Sequence, residues 1–203
     1  MDIDPLETVE SIKQRKEEAA DRSKSRLNAA VAITVALLAT FMAICKVKDD
    51  NIVQAMQQAQ ADKLDHWGYY QARNIRQELA EATALQLRLA RQGRPAAETA
   101  GYDEAITRYD KLAADQAKKK DEVKAQAEQD QKQYDALNFR DDQFDLSDAL
   151  LAIAVALMAV TALTGLWPLF WAGLVPTFFG VLMGLAGLLG WGIHPDALVK
   201  LLS

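Results

Sequence analysis

The 203-residue chain carries 23 Lys and Arg against 28 Asp and Glu, a formal net charge of -5. Both signs are mixed and no basic block occurs, which argues against a nucleic-acid partner; a single cysteine, Cys45, excludes an intramolecular disulfide. The averages conceal a segregation: residues 27–45 and 149–193 contain no Asp, Glu, Lys or Arg. A core this small cannot hide two such stretches, whereas a bilayer can, since its hydrocarbon takes about 20 apolar residues per spanning helix.

Residues 1–26 form a polar tail. Asp4, Pro5 and Glu7 read as an N-cap, first helical position and third helical position. Ile3, Leu6, Val9 and Ile12 give it a short apolar stripe, on a helix that is solvated or lies on the membrane surface. A secretory signal places its apolar run near the start, so the run at 27–45 reads as a retained anchor, transmembrane helix one. In it Ala29, Ala32, Ala36, Ala39 and Ala43 share one face. Small faces let helices approach closely in lipid, although alanine is also common in membrane helices that pack nothing there.

Residues 46–146 are rich in Ala, Gln, Glu, Lys and Arg, a helical composition. Val53, Met56, Leu64, Trp67, Ile75, Leu79, Ala82, Leu85 and Leu89 suggest an apolar stripe in the first half. Gly93 and Pro95 mark a stop and a restart, with the turn near 92–100. In the second half Ile106, Tyr109, Ala113, Gln116, Lys120, Val123, Ala127, Asp130, Tyr134 and Leu137 alternate three and four apart, a heptad seam. The expectation is a charged, antiparallel, coiled-coil-like hairpin. Gln116, Lys120 and Asp130 weaken its seam, which a two-helix monomer would bury poorly.

Transmembrane helix two is expected at 147–164, a turn at 165–169 and transmembrane helix three at 170–191, followed by a tail at 192–203. Ala149, Ala152, Ala156 and Ala159 repeat the small face. Gly180 and Gly184 form a GxxxG pair that Gly187 and Gly190 extend, and Pro176 is expected to kink the helix. Trp171 and Trp191 suit the two membrane interfaces. The fold class is thus all-α: three transmembrane helices, with the hairpin inserted between the first and second.

Asp141, Asp142, Asp145 and Asp148 cluster before helix two, beside Lys46 and Lys48. The plain reading is compensation of a helix dipole with salt bridges at the membrane surface. The sharper one is a carboxylate ring at a pore mouth, or a divalent-cation site. Asp62, His66 and Tyr70 share a helix face that could offer a metal-ligand pair but reads first as solvated or capping, and His194 falls at the end of helix three. No phosphate loop, dinucleotide loop or cysteine cluster appears. The spans hold no ionisable residue, which argues against a proton-coupled transporter. No enzymatic activity and no cofactor are expected.

Lys13, Arg15, Lys16, Arg22, Lys24 and Arg26 precede helix one, and only Lys46 and Lys48 follow it closely. The positive-inside rule then puts the N-terminus in the cytoplasm and the hairpin outside, with Arg140 a weak objection.

Two strings carry a family likeness: Val47-Lys48-Asp49-Asp50-Asn51-Ile52-Val53-Gln54-Ala55-Met56-Gln57-Gln58 and Trp67-Gly68-Tyr69-Tyr70-Gln71-Ala72-Arg73-Asn74-Ile75-Arg76. The chain resembles the bacterial membrane family known as domain of unknown function four-three-three-seven, over nearly its whole length. The resemblance implies a bacterial inner-membrane protein, with the hairpin in the periplasm of a Gram-negative cell, and no stated activity. The functional expectation is a scaffold or interaction protein in the lipid bilayer. It would be a homo-oligomer through its small faces and hairpin, with the hairpin open to a protein partner. The alternative is an oligomeric passive channel lined by Ala and Thr faces, such as Thr34 and Thr40, with the aspartates at its mouth.

Overall fold

The computed structural model describes residues 5–193. Asp4, Ile3 and His194 lie outside the described residues, as does most of the tail at 192–203. The described chain is all-helical: α1 (Pro5–Arg91), a short 3-10 turn (Ala96–Glu98), α2 (Ala100–Thr164) and α3 (Trp167–Leu189). It divides into two compact units, one of Met1–Ile52 with Phe139–Ser203, the other of Val53–Asn138. Helices α1 and α2 run through both. Each of the three helices contains a stretch long and apolar enough to cross a membrane.

Two differences from the expected boundaries matter. The α2 helix is continuous from Ala100, so no helix begins near 147. The turn before α3 is shorter than 165–169. Gly165 reverses the chain with φ +72°, and Trp167 and Pro168 already form the first turn of α3, where Pro needs no donor. The α3 helix runs through Pro176 and ends at Gly190 in the left-handed conformation.

In the first unit, Leu27, Val31, Met158 and Phe170 make one buried cluster, and Leu38, Leu151 and Ala154 another. Glycine faces let α3 come close. A Cβ on Gly180 would lie 2.8 Å from Leu151 Cδ2, one on Gly184 2.7 Å from the Phe41 ring, and one on Gly187 2.8 Å from Phe144 Cζ. Ser147 donates its hydroxyl hydrogen to the Gly180 carbonyl at 2.8 Å. Arg140 donates to the Gly187 carbonyl in the last turn of α3, and Gln143 to those of Trp191 and Ile193 just beyond it, so α2 satisfies carbonyls that no helical bond takes up.

The alanine faces lie elsewhere. Ala29, Ala32, Ala36, Ala39, Ala43, Ala152, Ala156 and Ala159 are exposed, and Ala149 is half-buried. Much apolar surface is also uncovered: only 17% of the most apolar stretch of α1 is buried within the chain, against 33% in α2 and α3.

In the second unit, bonds between α1 and α2 pair Lys63 with Gln131, Arg73 with Gln116, Asn74 with Lys120 and Arg88 with Asp110. From Lys63 with Gln131 to Arg88 with Asp110, the partners thus run in opposite directions along the two helices. The α2 seam positions from Ile106 to Leu137 are all buried or half-buried. On α1 the expected stripe joins the seam only in part: Met56 is buried and Val53 and Trp67 are half-buried. Leu64, Ile75, Leu79, Leu85 and Leu89 are each more than half exposed. A row of buried or half-buried positions runs through Ala59, Lys63, His66, Tyr70, Arg73, Gln77, Ala80 and Ala84, which alternate four and three apart. Helices that meet through alanine approach closely, and the long polar side chains pair across the gap. Gln116, Lys120 and Asp130, expected to be poorly buried, therefore have partners inside the chain.

Candidate functional site

The charged residues of the first unit gather where α1 leaves its apolar stretch. Every seventh residue from Val31 through Leu38, Cys45 and Ile52 is buried, and Asp49 falls on the same face. The helical repeat thus carries a carboxylate into a seam otherwise made of apolar side chains. Asp49 is 5% exposed. Its Oδ2 accepts a hydrogen bond from Lys46 Nζ at 2.8 Å, while its buried Oδ1 has no donor. Lys46 also stands 3.4 Å from Asp50 Oδ1. The bond and charge of Asp49 raise the Lys46 ammonium well above the ordinary lysine range.

Three aspartates of α2 come up to this point. Asp145 and Asp148 line a cavity of about 20 Å³ together with Cys45, Lys46, Asp49 and Ser147, room for about one water molecule. Asp141 is half-buried and within hydrogen-bonding reach of Asp49. Burial, the Asp145 charge and Asp49 push the Asp141 carboxyl up to about 6. Burial and the neighbouring Asp49 and Asp142 charges raise Asp145 as well, against the pull of Lys46. Asp142 also has an interaction partner, and Lys48 is exposed.

The sequence cluster Asp141, Asp142, Asp145 and Asp148 is thus partly assembled around a residue outside it. The dipole reading of the cluster fails, because α2 has no terminus there. The ion pairs of Lys46 are with Asp49 and Asp50 on its own helix. Asp49 could have been found by extending the buried face of α1 one turn past Cys45. Among the described residues no three His, Cys, Asp or Glu side chains are placed to hold a metal ion.

In the second unit His66 Nδ1 stands 2.6 Å from Asp130 Oδ2, inside the seam rather than on a solvated face. Trp67 and Tyr70 meet edge to face with ring centroids 5.3 Å apart.

A family model described as Domain of unknown function (DUF4337) matches residues 27–190, from the buried Leu27 of α1 to the glycine that ends α3. The chain belongs to the DUF4337 family. The match takes in both units and every residue of the acidic site. No curated protein and no solved structure matches this DUF4337 chain, so the chemistry of the site rests on its own geometry.

Proposed function

We propose that this DUF4337 protein is an integral membrane scaffold that self-assembles, with the second unit as an extramembrane antiparallel hairpin. Three apolar spans cross the bacterial inner membrane, with the N-terminus in the cytoplasm. The observation that carries the reading is apolar surface left open in both units. On the spans, Ile33, Leu37, Leu163 and Phe178 are each more than 60% exposed, as lipid-facing side chains would be. Beside them the exposed alanine faces of α1 and α2 suit close approach of another helix. Lipid cannot account for Leu64, Ile75, Leu79, Leu85 and Leu89, which stand open on a helix otherwise covered in charge. An apolar row of this kind on a water-facing helix fits contact with another copy or a protein partner.

Native mass spectrometry of the full-length protein, and of a variant lacking residues 48–141, tests this reading. A homo-oligomer is expected for the full chain, with fewer or looser copies for the deletion. A monodisperse full-length monomer across mild detergents would remove the proposal. Selective ion conductance in liposomes would favour the channel alternative, with the aspartates near its mouth.

A further inference from the structure

Asp49 occupies the most demanding position in the first unit. Its side chain is 7% exposed, and a buried carboxylate oxygen needs a donor. One oxygen has Lys46; the other has none. The groups around it are few. On α1 they are Lys46, already bonded to Oδ2, the Cys45 thiol one turn back, and Asp50, which pairs with Lys46. On α2 they are Asp141 and Asp145, with Asp142 and Asp148 beside them. Arg140 on α2 donates to the Gly187 carbonyl. The α3 helix has no ionisable residue. Asp141, Asp145 and Asp148 of α2 therefore stand close to a buried Asp49 whose ion pair is with Lys46.

Such a cluster must take up positive charge or lose negative charge. A directly bound metal would need ligands that the site does not bring together, since no three acidic side chains are placed for one among the described residues. A proton needs only two facing carboxyl groups. We propose that Asp49 and Asp141 form a proton-binding pair, in which protonated Asp141 donates its O–H hydrogen to the orphaned Oδ1 of Asp49. The proton comes from water and returns to it, and no other bond changes. The upward displacement of Asp141, caused first by burial and next by Asp145, agrees with this geometry. When the proton leaves, two carboxylates face each other across α1 and α2. The pair is thus an acid-stabilised latch within the first unit. This inference goes beyond the assembly reading and holds for scaffold or channel alike.

The sign of the pH effect follows. A carboxyl raised in the folded state contributes stability that is fully present below its unfolded value and is lost as pH rises through about 6. Isotope-edited infrared titration of the full-length protein, labelled at aspartate carboxyls and held in nanodiscs, reads the proton directly. One protonated carboxyl is expected to disappear with a midpoint near 6. Asp141→Asn should abolish it, and Asp145→Asn should keep it with a lower midpoint. The melting temperature should also fall between pH 5 and pH 7.5 more steeply in the natural protein than in Asp141→Asn. If Asp141→Asn does not fold, the Asp145→Asn midpoint decides, and an unmoved midpoint overturns the pair. Absence of any protonated aspartate above pH 5 overturns it too. So does Mg²⁺ or Ca²⁺ binding at pH 7.5 that Asp49→Asn abolishes, which would assign the orphaned oxygen to a metal ion.

Discussion

Gly184 and Gly173 lie on the same helix and differ in what a side chain would meet. A Cβ at Gly184 comes within 2.7 Å of the Phe41 ring and 2.8 Å of Ser147 Oγ, the hydroxyl that bonds to Gly180. A ring fixed between two helices cannot step aside cheaply. At Gly173 the nearest atom is the Met158 methyl at 3.0 Å, the free end of a flexible chain. Gly184→Ala is therefore expected to cost about 1–3 kcal/mol through overpacking, and Gly173→Ala distinctly less. Denaturation of both variants in the same detergent checks this. Equal losses would mean that the two faces are equally tight. The GxxxG spacing of Gly180 and Gly184 was readable in the sequence. Its partners Phe41, Leu151 and Ser147 were not, because only the fold brings them to α3. Asp49 escaped notice for a related reason. A charged residue directly after an apolar run reads as the run's end, whereas the helix simply continues and keeps the residue on its buried face.

At the level of helices, the α2 seam was legible because Ile106, Val123 and Leu137 mark it as apolar. The α1 seam was not. Its positions hold Ala, His, Arg and Gln, while the leucines that a hydrophobicity pattern selects point away. A contrast follows. Ala84 is 0% exposed, so Ala84→Leu should force the helices apart and lower stability by about 1–3 kcal/mol. Leu79 is 66% exposed, so Leu79→Gln should change the stability of the isolated chain by no more than about 0.5 kcal/mol, while weakening association between copies. Urea melts paired with light-scattering mass measurements separate the two effects, and a large stability loss for Leu79→Gln would return the leucines to the seam. The polar seam also specifies alignment. Sliding one helix by a heptad would set His66 against Val123 or Leu137 instead of Asp130, leaving a polar group without its partner at about 1–3 kcal/mol. Such residues at seam positions are known to fix register at some expense in stability.

For the whole molecule, the proposed topology makes a clear prediction. In a Cys45→Ser background, Arg94→Cys should react with an impermeant thiol reagent in intact cells. Lys13→Cys should react only after permeabilisation. The reverse pattern would invert the orientation and put the second unit in the cytoplasm. One consequence of the charge-free spans concerns electricity. A membrane potential performs work on a protein only by moving charge through the field, about 2.3 kcal/mol per elementary charge per 100 mV. Residues 27–45 and 149–193 carry no Asp, Glu, Lys or Arg to be moved. Tilting of these stretches in place, without carrying the flanking Arg26, Lys46 or Asp148 into the hydrocarbon, would go almost unfelt by the voltage, so a cell could energise or collapse its membrane without disturbing them.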